Sequence, residues 1–183
     1  RSSDLSLAVA KGEPKGFLLY GVTGSGKTEV YLRTAAEALK QGRQVLYLVP
    51  EIALTAQVIA QLRERFGRSV AILHSSLSPK ERLDNWKKIQ TGQAPVILGA
   101  RSALFAPLTR LGFIVMDEEH EGSYKQENSP RYHGRRVVEE LAKLHSCPYV
   151  LGSATPSIES YYDALEGHLE LLRLPNRAAQ AVL

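Results

Sequence analysis

Two short stretches hold the residues best suited to chemistry. The first is Gly21-Val22-Thr23-Gly24-Ser25-Gly26-Lys27-Thr28, which fits the spacing G-x-x-x-x-G-K-[ST]. Glycine reaches positive φ without strain, so such a loop can turn several backbone N–H groups toward one point. A helix starting at its end adds free donors and a partial positive charge. A chain of phosphates is the ligand that uses this cradle. Lys27 would reach the β and γ phosphates, the Thr28 hydroxyl would hold Mg²⁺, and Gly21, Thr23, Gly24, Ser25 and Gly26 would form the wall. The second stretch is Phe113-Ile114-Val115-Met116-Asp117-Glu118-Glu119-His120, four apolar residues ending in three carboxylates and a histidine. Open α/β sheets bind ligands at the carboxyl ends of their strands. Asp117 would hold Mg²⁺ opposite Thr28, and Glu118 would act as general base or orient an attacking water. The catalytic set is then Lys27, Asp117 and Glu118. An ordinary glycine turn and a solvated acidic turn are the bland alternatives. The apolar run before each stretch, and their occurrence together, weigh against both.

The elements that position these residues follow from apolar patterning. Phe17–Tyr20 reads as a strand, and helical spacing runs from about Lys27 to Gln41, with Gly42 as a natural stop. Val45-Leu46-Tyr47-Leu48-Val49 is a continuous apolar run ended by Pro50, the pattern of a strand covered on both faces. Val58, Ile59, Leu62 and Phe66 fall at helical spacing, and Val70–Leu73 is a further strand. Ser78-Pro79-Lys80-Glu81 predicts a capping box, opening a helix whose Leu83, Trp86 and Ile89 would face the core. Strands at 96–98, 113–116 and 149–151 and helices near 134–145 and 157–165 complete the alternation. Strands alternating with helices predict an α/β fold with a mainly parallel central sheet between two helical layers. Residues 121–133 form the most irregular region. The character changes again at 171–177, which reads as the start of a linker.

Composition sets broad limits. A chain of 183 residues suits one domain with a sizeable core, and its net charge of +4 leans toward an acidic partner without deciding one. No apolar run approaches the length of a membrane span, and the N-terminus lacks a signal-peptide pattern. The single Cys147 fits a reducing cytoplasm and, between apolar flanks, a buried structural thiol. The irregular region has a chemistry of its own. Aromatic faces stack on single-stranded bases while cations hold phosphates, and Tyr124, Lys125, Arg131, Tyr132, His133, Arg135 and Arg136 supply both. Local packing of the tyrosines and solvation of the arginines is the competing reading.

In order along the chain, Gly21–Thr28, Asp117–His120 and Gly152-Ser153-Ala154-Thr155-Pro156 resemble motifs I, II and III of the superfamily 2 helicases, with D-E-E-H in place of D-E-A-D or D-E-A-H. Val49–Thr55, Arg101–Phe105, and Ser123–Gln126 with Arg131–His133 narrow the resemblance to the branch that restarts stalled bacterial replication forks. The resemblance implies a three-layer, RecA-like P-loop NTPase lobe using ATP and Mg²⁺ to move 3′ to 5′ along DNA. It implies that residues 1–16 are a lead-in, 17–172 the ATP-binding lobe, and 173–183 the start of a linker to a second lobe. It gives Thr55 a DNA phosphate and sets Arg101 near the DNA path. His120, Ser153 and Thr155 would couple nucleotide to DNA, and Tyr124, Arg131, Tyr132 and His133 would lie in an aromatic-rich DNA loop. The partners implied are single-stranded or forked DNA, primosome proteins and single-strand-binding protein, with a monomeric protein in the cytoplasm. Zinc is expected only in the second lobe, which would also supply an arginine finger; the lobe alone should hydrolyse ATP negligibly. One departure stands out. No glutamine precedes Gln41, so an upstream adenine-reading glutamine is missing, substituted or trimmed.

Three rivals share some of these features. A restriction-type translocase would carry motifs I to III without the Tyr132-His133 loop. A small-molecule P-loop kinase would not need Gly152–Thr155. A DNA-binding module with a vestigial nucleotide site would not need Lys27, Thr28, Asp117 and Glu118 all intact.

Overall fold

The computed structural model describes residues 2–177; Arg1 and the tail at 178–183, the latter part of the expected linker, lie outside the described residues. Seven strands form one parallel sheet: β1 (Gly16–Gly21), β2 (Gln44–Leu48), β3 (Val70–Leu73), β4 (Val96–Gly99), β5 (Leu111–Asp117), β8 (Tyr149–Ser153) and β9 (Glu170–Leu174). Their order is β3-β4-β2-β5-β8-β1-β9. Two short strands, β6 (Lys125–Gln126) and β7 (Tyr132–His133), make a separate antiparallel hairpin. The helices are α1 (Ser2–Lys11), α2 (Lys27–Lys40), α3 (Ala56–Phe66), α4 (Pro79–Gln90), α5 (Gly134–His145) and α6 (Ile158–Leu165).

The continuous apolar runs become strands because both faces of the sheet are covered. Phe17, Leu19, Val45, Tyr47 and Val49 turn to one layer, where Leu5 and Val9 of α1, Leu32 and Ala35 of α2 and Leu62 of α3 meet them. Leu18, Leu46, Leu48, Ile114 and Met116 turn to the other, packed by Ile89 of α4, Val138 and Ala142 of α5, and Tyr161 and Ala164 of α6. This is the expected three-layer α/β fold. Truncating a fully buried large side chain such as Leu46 or Ile114 would cost about 2–5 kcal/mol. The helix starts also follow the sequence. Ser78 accepts from the Glu81 N–H while Glu81 accepts from the Ser78 N–H at 2.9 Å, and Pro79 occupies the first turn. Gly42, with φ +67°, follows the end of α2.

Three features depart from expectation. The segment read as a lead-in, with a short helix ending at Gly12, does form helix 2–11, but Leu5 and Val9 are fully buried against α2, so it belongs to the core. Residues 170–174 form edge strand β9 beside β1, so the segment read as opening a linker begins inside the sheet. On α4 only Ile89 is buried; Leu83 is 52% and Trp86 38% exposed. The face of α4 that meets the sheet runs through Asn85, whose amide donates to the Ile72 carbonyl at 3.1 Å, and Ile89. Leu83 and Trp86 lie to one side of that line, facing solvent.

Candidate nucleotide and nucleic-acid site

The glycine-rich loop leaves β1 at Gly21 and enters α2 at Lys27. Gly24 and Gly26 take φ of +78° and +88°, the left-handed backbone that glycine alone adopts cheaply. Lys27 is buried, and its Nζ donates to the Gly21 carbonyl at 2.7 Å. That single bond leaves two ammonium donors for a ligand. Ser25 Oγ is buried without a hydrogen-bond partner. An orphaned hydroxyl inside a glycine loop is costly unless something else satisfies it. Thr28 is half-buried beside the Tyr47 phenol. Thr23 and Gly24 are exposed at the loop's tip.

Asp117 ends β5, two strands from β1 with β8 between them. Tyr31 of α2 donates to Asp117 Oδ1 at 3.1 Å, and the Glu118 N–H donates to the same oxygen at 3.1 Å. Burial, and secondarily the Glu118 carboxylate, push Asp117 up from 3.8 to about 6. Lys27 and the two hydrogen bonds oppose that rise. Burial and the nearby Asp117 also hold the Tyr31 and Tyr47 phenols far above their usual range, so both remain neutral. Gly152 makes room for this bond: a Cβ there would sit 1.6 Å from the Tyr31 hydroxyl. Glu118 itself has φ +46°, an uncommon backbone for a non-glycine residue and one that concentrates at functional sites.

This donor set fits a nucleotide with Mg²⁺. The orphaned Ser25 hydroxyl and the free Lys27 donors match phosphate oxygens. Among the described residues no group of three or more His, Cys, Asp or Glu gathers to hold a metal by itself. One carboxylate and one hydroxyl, completed by phosphates and water, is the way Mg²⁺ is commonly held. Asp117 and Thr28 are the residues that would hold it.

Motif II and motif III are joined twice. His120 Nδ1 lies 2.7 Å from Ser153 Oγ, and its Nε2 is 3.5 Å from Thr155 Oγ1. The Thr155 N–H donates to Ser153 Oγ at 2.9 Å, and Glu118 Oε2 is 3.7 Å from His120 Nδ1. The three residues expected to couple therefore touch. Glu119 makes the second join. It is buried, accepts from the Ser157 N–H at 2.7 Å, and accepts from the Ser157 and Ser160 hydroxyls at 3.0 and 2.8 Å. Its own N–H donates to the Gly152 carbonyl at 3.0 Å.

The nucleic-acid candidates divide. Arg131, Tyr132 and His133 line a concavity on the β6–β7 hairpin with Lys125 and Gln126. Arg131 and His133 are exposed, and burial lowers the His133 pKa from 6.5. Tyr124 is different. It is fully buried and its hydroxyl donates to the Asp117 carbonyl at 2.8 Å, so its ring has no face for a base. An aromatic in a polar loop was drawn inward here because Leu104, Val138 and neighbouring residues of the second core layer receive it. Arg101 donates to the Ser123 carbonyl at 3.0 Å and to the Lys125 carbonyl, and stacks 5.8 Å from the Tyr132 ring centroid. It braces the hairpin. Arg135 is buried and paired with Glu139 at 3.0 Å and with Asp163, so it offers no charge to a phosphate. Thr55 caps α3, accepting from the Val58 N–H at 3.4 Å, and is exposed.

Tyr47, Ser157, Ser160 and Asp163 gave no functional signal in the sequence. Tyr31 alone had a usable cue: it lies one turn past Lys27, on the face of α2 that must meet the sheet.

A parallel sheet of this order, with a phosphate loop at the end of β1 and D-E-x-H at the end of β5 on the far side of β8, has the architecture of a RecA-like helicase domain. The sequence matches the DEAD/DEAH box helicase family over residues 5–164, and the chain belongs to that family. Among curated proteins it is similar to the replication restart protein PriA of Bacillus subtilis, 52% identical over 171 residues, covering 93% of this chain and 21% of that protein. The PriA of Treponema pallidum is 52% identical over 165 residues, covering 90% of this chain and 25% of that one. The chain thus spans about a fifth to a quarter of the length of these relatives. In fold it is similar to RecG bound to a three-way DNA junction, with a TM-score of 0.65 at 20% identity, over all of this chain and 24% of that one. Among the described residues no helix is long and apolar enough to cross a membrane.

Proposed function

We propose that this chain is the ATP-binding first lobe of a replication-restart helicase that moves 3′ to 5′ along single-stranded or forked DNA. The observation that carries the reading is the convergence of Lys27 and Thr28 with Asp117 and Glu118 around β8, whose Ser153 is bonded to His120. ATP, held by Ser25 and Lys27 with Mg²⁺ on Thr28 and Asp117, would supply the phosphoanhydride to be hydrolysed and the charge neutralisation its cleavage needs. Lys27 exchanges its bond to the Gly21 carbonyl for phosphate oxygens. Ser25 Oγ gains its missing partner. Glu118 orients the attacking water and takes its proton on a carboxylate oxygen. His120 carries the change to Ser153 and Thr155. On the DNA side, Arg131, Tyr132 and His133 hold the strand, with Thr55 on a phosphate further along. Direction of travel rests on the family resemblance alone.

The lobe takes in α1 and runs through β9 at Leu174, and a second lobe supplies an arginine finger and a zinc site. Single-strand-binding and primosome proteins are the partners in a bacterial cytoplasm, and the protein is a monomer. The 183-residue chain alone should turn over ATP negligibly, since the finger is worth about 10³-fold or more in such motors. The test is ATPase of the full-length protein with and without single-stranded DNA. Lys27→Ala and Glu118→Gln should each abolish the DNA-stimulated rate. Stimulation that survives either change would sink the reading.

A further inference from the structure

We infer that Arg135, Ser160 and Glu119 form a positioning relay that carries the state of the β6–β7 hairpin to the hydrolysis residues. The inference rests on the helicase reading above. Three polar side chains from three elements meet in the protein interior: Ser160 is 0%, Glu119 3% and Arg135 8% exposed. Arg135 Nη1 donates to Ser160 Oγ at 3.0 Å, and Ser160 Oγ donates to Glu119 Oε2 at 2.8 Å. The guanidinium is held at its other corners by Glu139 and Asp163.

The two ends of this chain of bonds lie where a signal would start and finish. At one end Arg135 lies in the first turn of α5, two residues after His133, and its N–H donates to His133 Nδ1 at 3.3 Å. Only Gly134 separates it from strand β7. At the other end Glu119 is the residue after Glu118, and it also grips the first turn of α6 through Ser157. A displacement of β7 by a bound strand moves the start of α5. The rigid guanidinium fork passes that movement to Ser160 and Glu119, and so to the backbone that carries Glu118. The route is separate from the His120–Ser153–Thr155 contact.

Packing alone does not account for these residue types. Burying an ionic chain costs desolvation, and apolar residues of similar volume fill such space at least as well. What charged, forked hydrogen bonds provide is fixed geometry between elements. The neighbouring Arg136 makes the contrast. It is exposed, pairs with Glu139 at 3.0 Å on the surface, and takes no part in the relay.

The test uses the full-length protein and Ser160→Ala, which removes only the central hydroxyl. Arg135 keeps Glu139 and Asp163, and Glu119 keeps Ser157. ATPase is measured without DNA and with saturating oligo-dT, beside the affinities for oligo-dT and for nucleotide. The ratio of stimulated to unstimulated rate should fall by about tenfold, the scale of a coupling change. The unstimulated rate and both affinities should stay unchanged. A merely structural role would lower stability and leave that ratio alone. If Ser160→Ala does not fold, Arg135→Lys serves instead: it keeps the charge, loses the fork, and should show the same loss. Undiminished stimulation in the folded variant overturns the relay. A wild-type protein whose ATPase ignores DNA would overturn the helicase reading instead, before any variant is compared.

Discussion

Replacing Asp117 by asparagine should make the nucleotide-free lobe more stable while removing its response to Mg²⁺ and ATP. The folded protein raises this carboxyl from 3.8 to about 6, mainly by burial and then by Glu118. That rise corresponds to about 3 kcal/mol of penalty on the ionised form at neutral pH. Asparagine removes the charge and keeps an oxygen for the Tyr31 hydroxyl and the Glu118 N–H, both 3.1 Å away. The rise is already net of those two bonds to the ionised form, so the gain should be about 3 kcal/mol at pH 7.5. Its pH dependence is specific. Between 3.8 and about 6 the folded protein holds the Asp117 proton more tightly than the unfolded chain, so wild-type stability from this group falls as pH rises. Below 3.8 both states are protonated and the difference from the variant vanishes. Urea unfolding of both proteins at pH 4 and pH 7.5 measures this, because the other carboxylates cancel in the comparison. Saturating Mg·ATP at a hundredfold over its Kd should add about 2.7 kcal/mol to the wild type and much less to Asp117→Asn. A variant less stable at pH 7.5, or an advantage equal at both pH values, would refute the burial argument.

Three further outcomes are expected. Gly152→Ala should destabilise by about 3 kcal/mol, since its Cβ would meet the Tyr31 hydroxyl at 1.6 Å; Tyr31→Phe should recover only part of this in urea unfolding, because Cζ still lies at 2.8 Å. Trp86, the chain's one tryptophan, should emit at long wavelength and be quenched by acrylamide in the native state, since it is 38% exposed; a blue-shifted, protected emission would contradict the placement of α4. Cys147 is buried and its thiol is pushed up to about 12, so iodoacetamide at pH 8 should label it only as fast as the protein unfolds.

Some of these elements were written plainly in the sequence. The apolar runs at 17–20 and 45–49 could only be strands covered on both faces, and the Ser78–Glu81 capping box gave the start of α4 to the residue. The glycine loop and Asp117 announced themselves by spacing. What escaped was tertiary. Helical spacing groups Leu83, Trp86 and Ile89 but does not say that the sheet meets the helix along Asn85 and Ile89. A tyrosine in a polar loop looks like a ligand contact until a core layer is there to receive it, as one is for Tyr124. Arg135 reads as a phosphate contact from composition, whereas Glu139 and Asp163, four and 28 residues further on, claim it. Glu119 had no assignable role because its partners Ser157 and Ser160 become neighbours only when β8 lies beside β5.

The position of β8 has a mechanical consequence. It pairs on one side with β5, where Asp117 is level with Gly152, and on the other with β1, where Tyr20 is level with Ser153. The phosphate loop and the acidic turn are therefore bolted to the two sides of one slat. Changing the spacing between them would shear a parallel ladder along its whole length, a far greater cost than turning a side chain. The sheet behaves as an anvil: any rearrangement around a ligand at its edge has to come from the turns, the β6–β7 hairpin and the helix ends, while the strands themselves hold still.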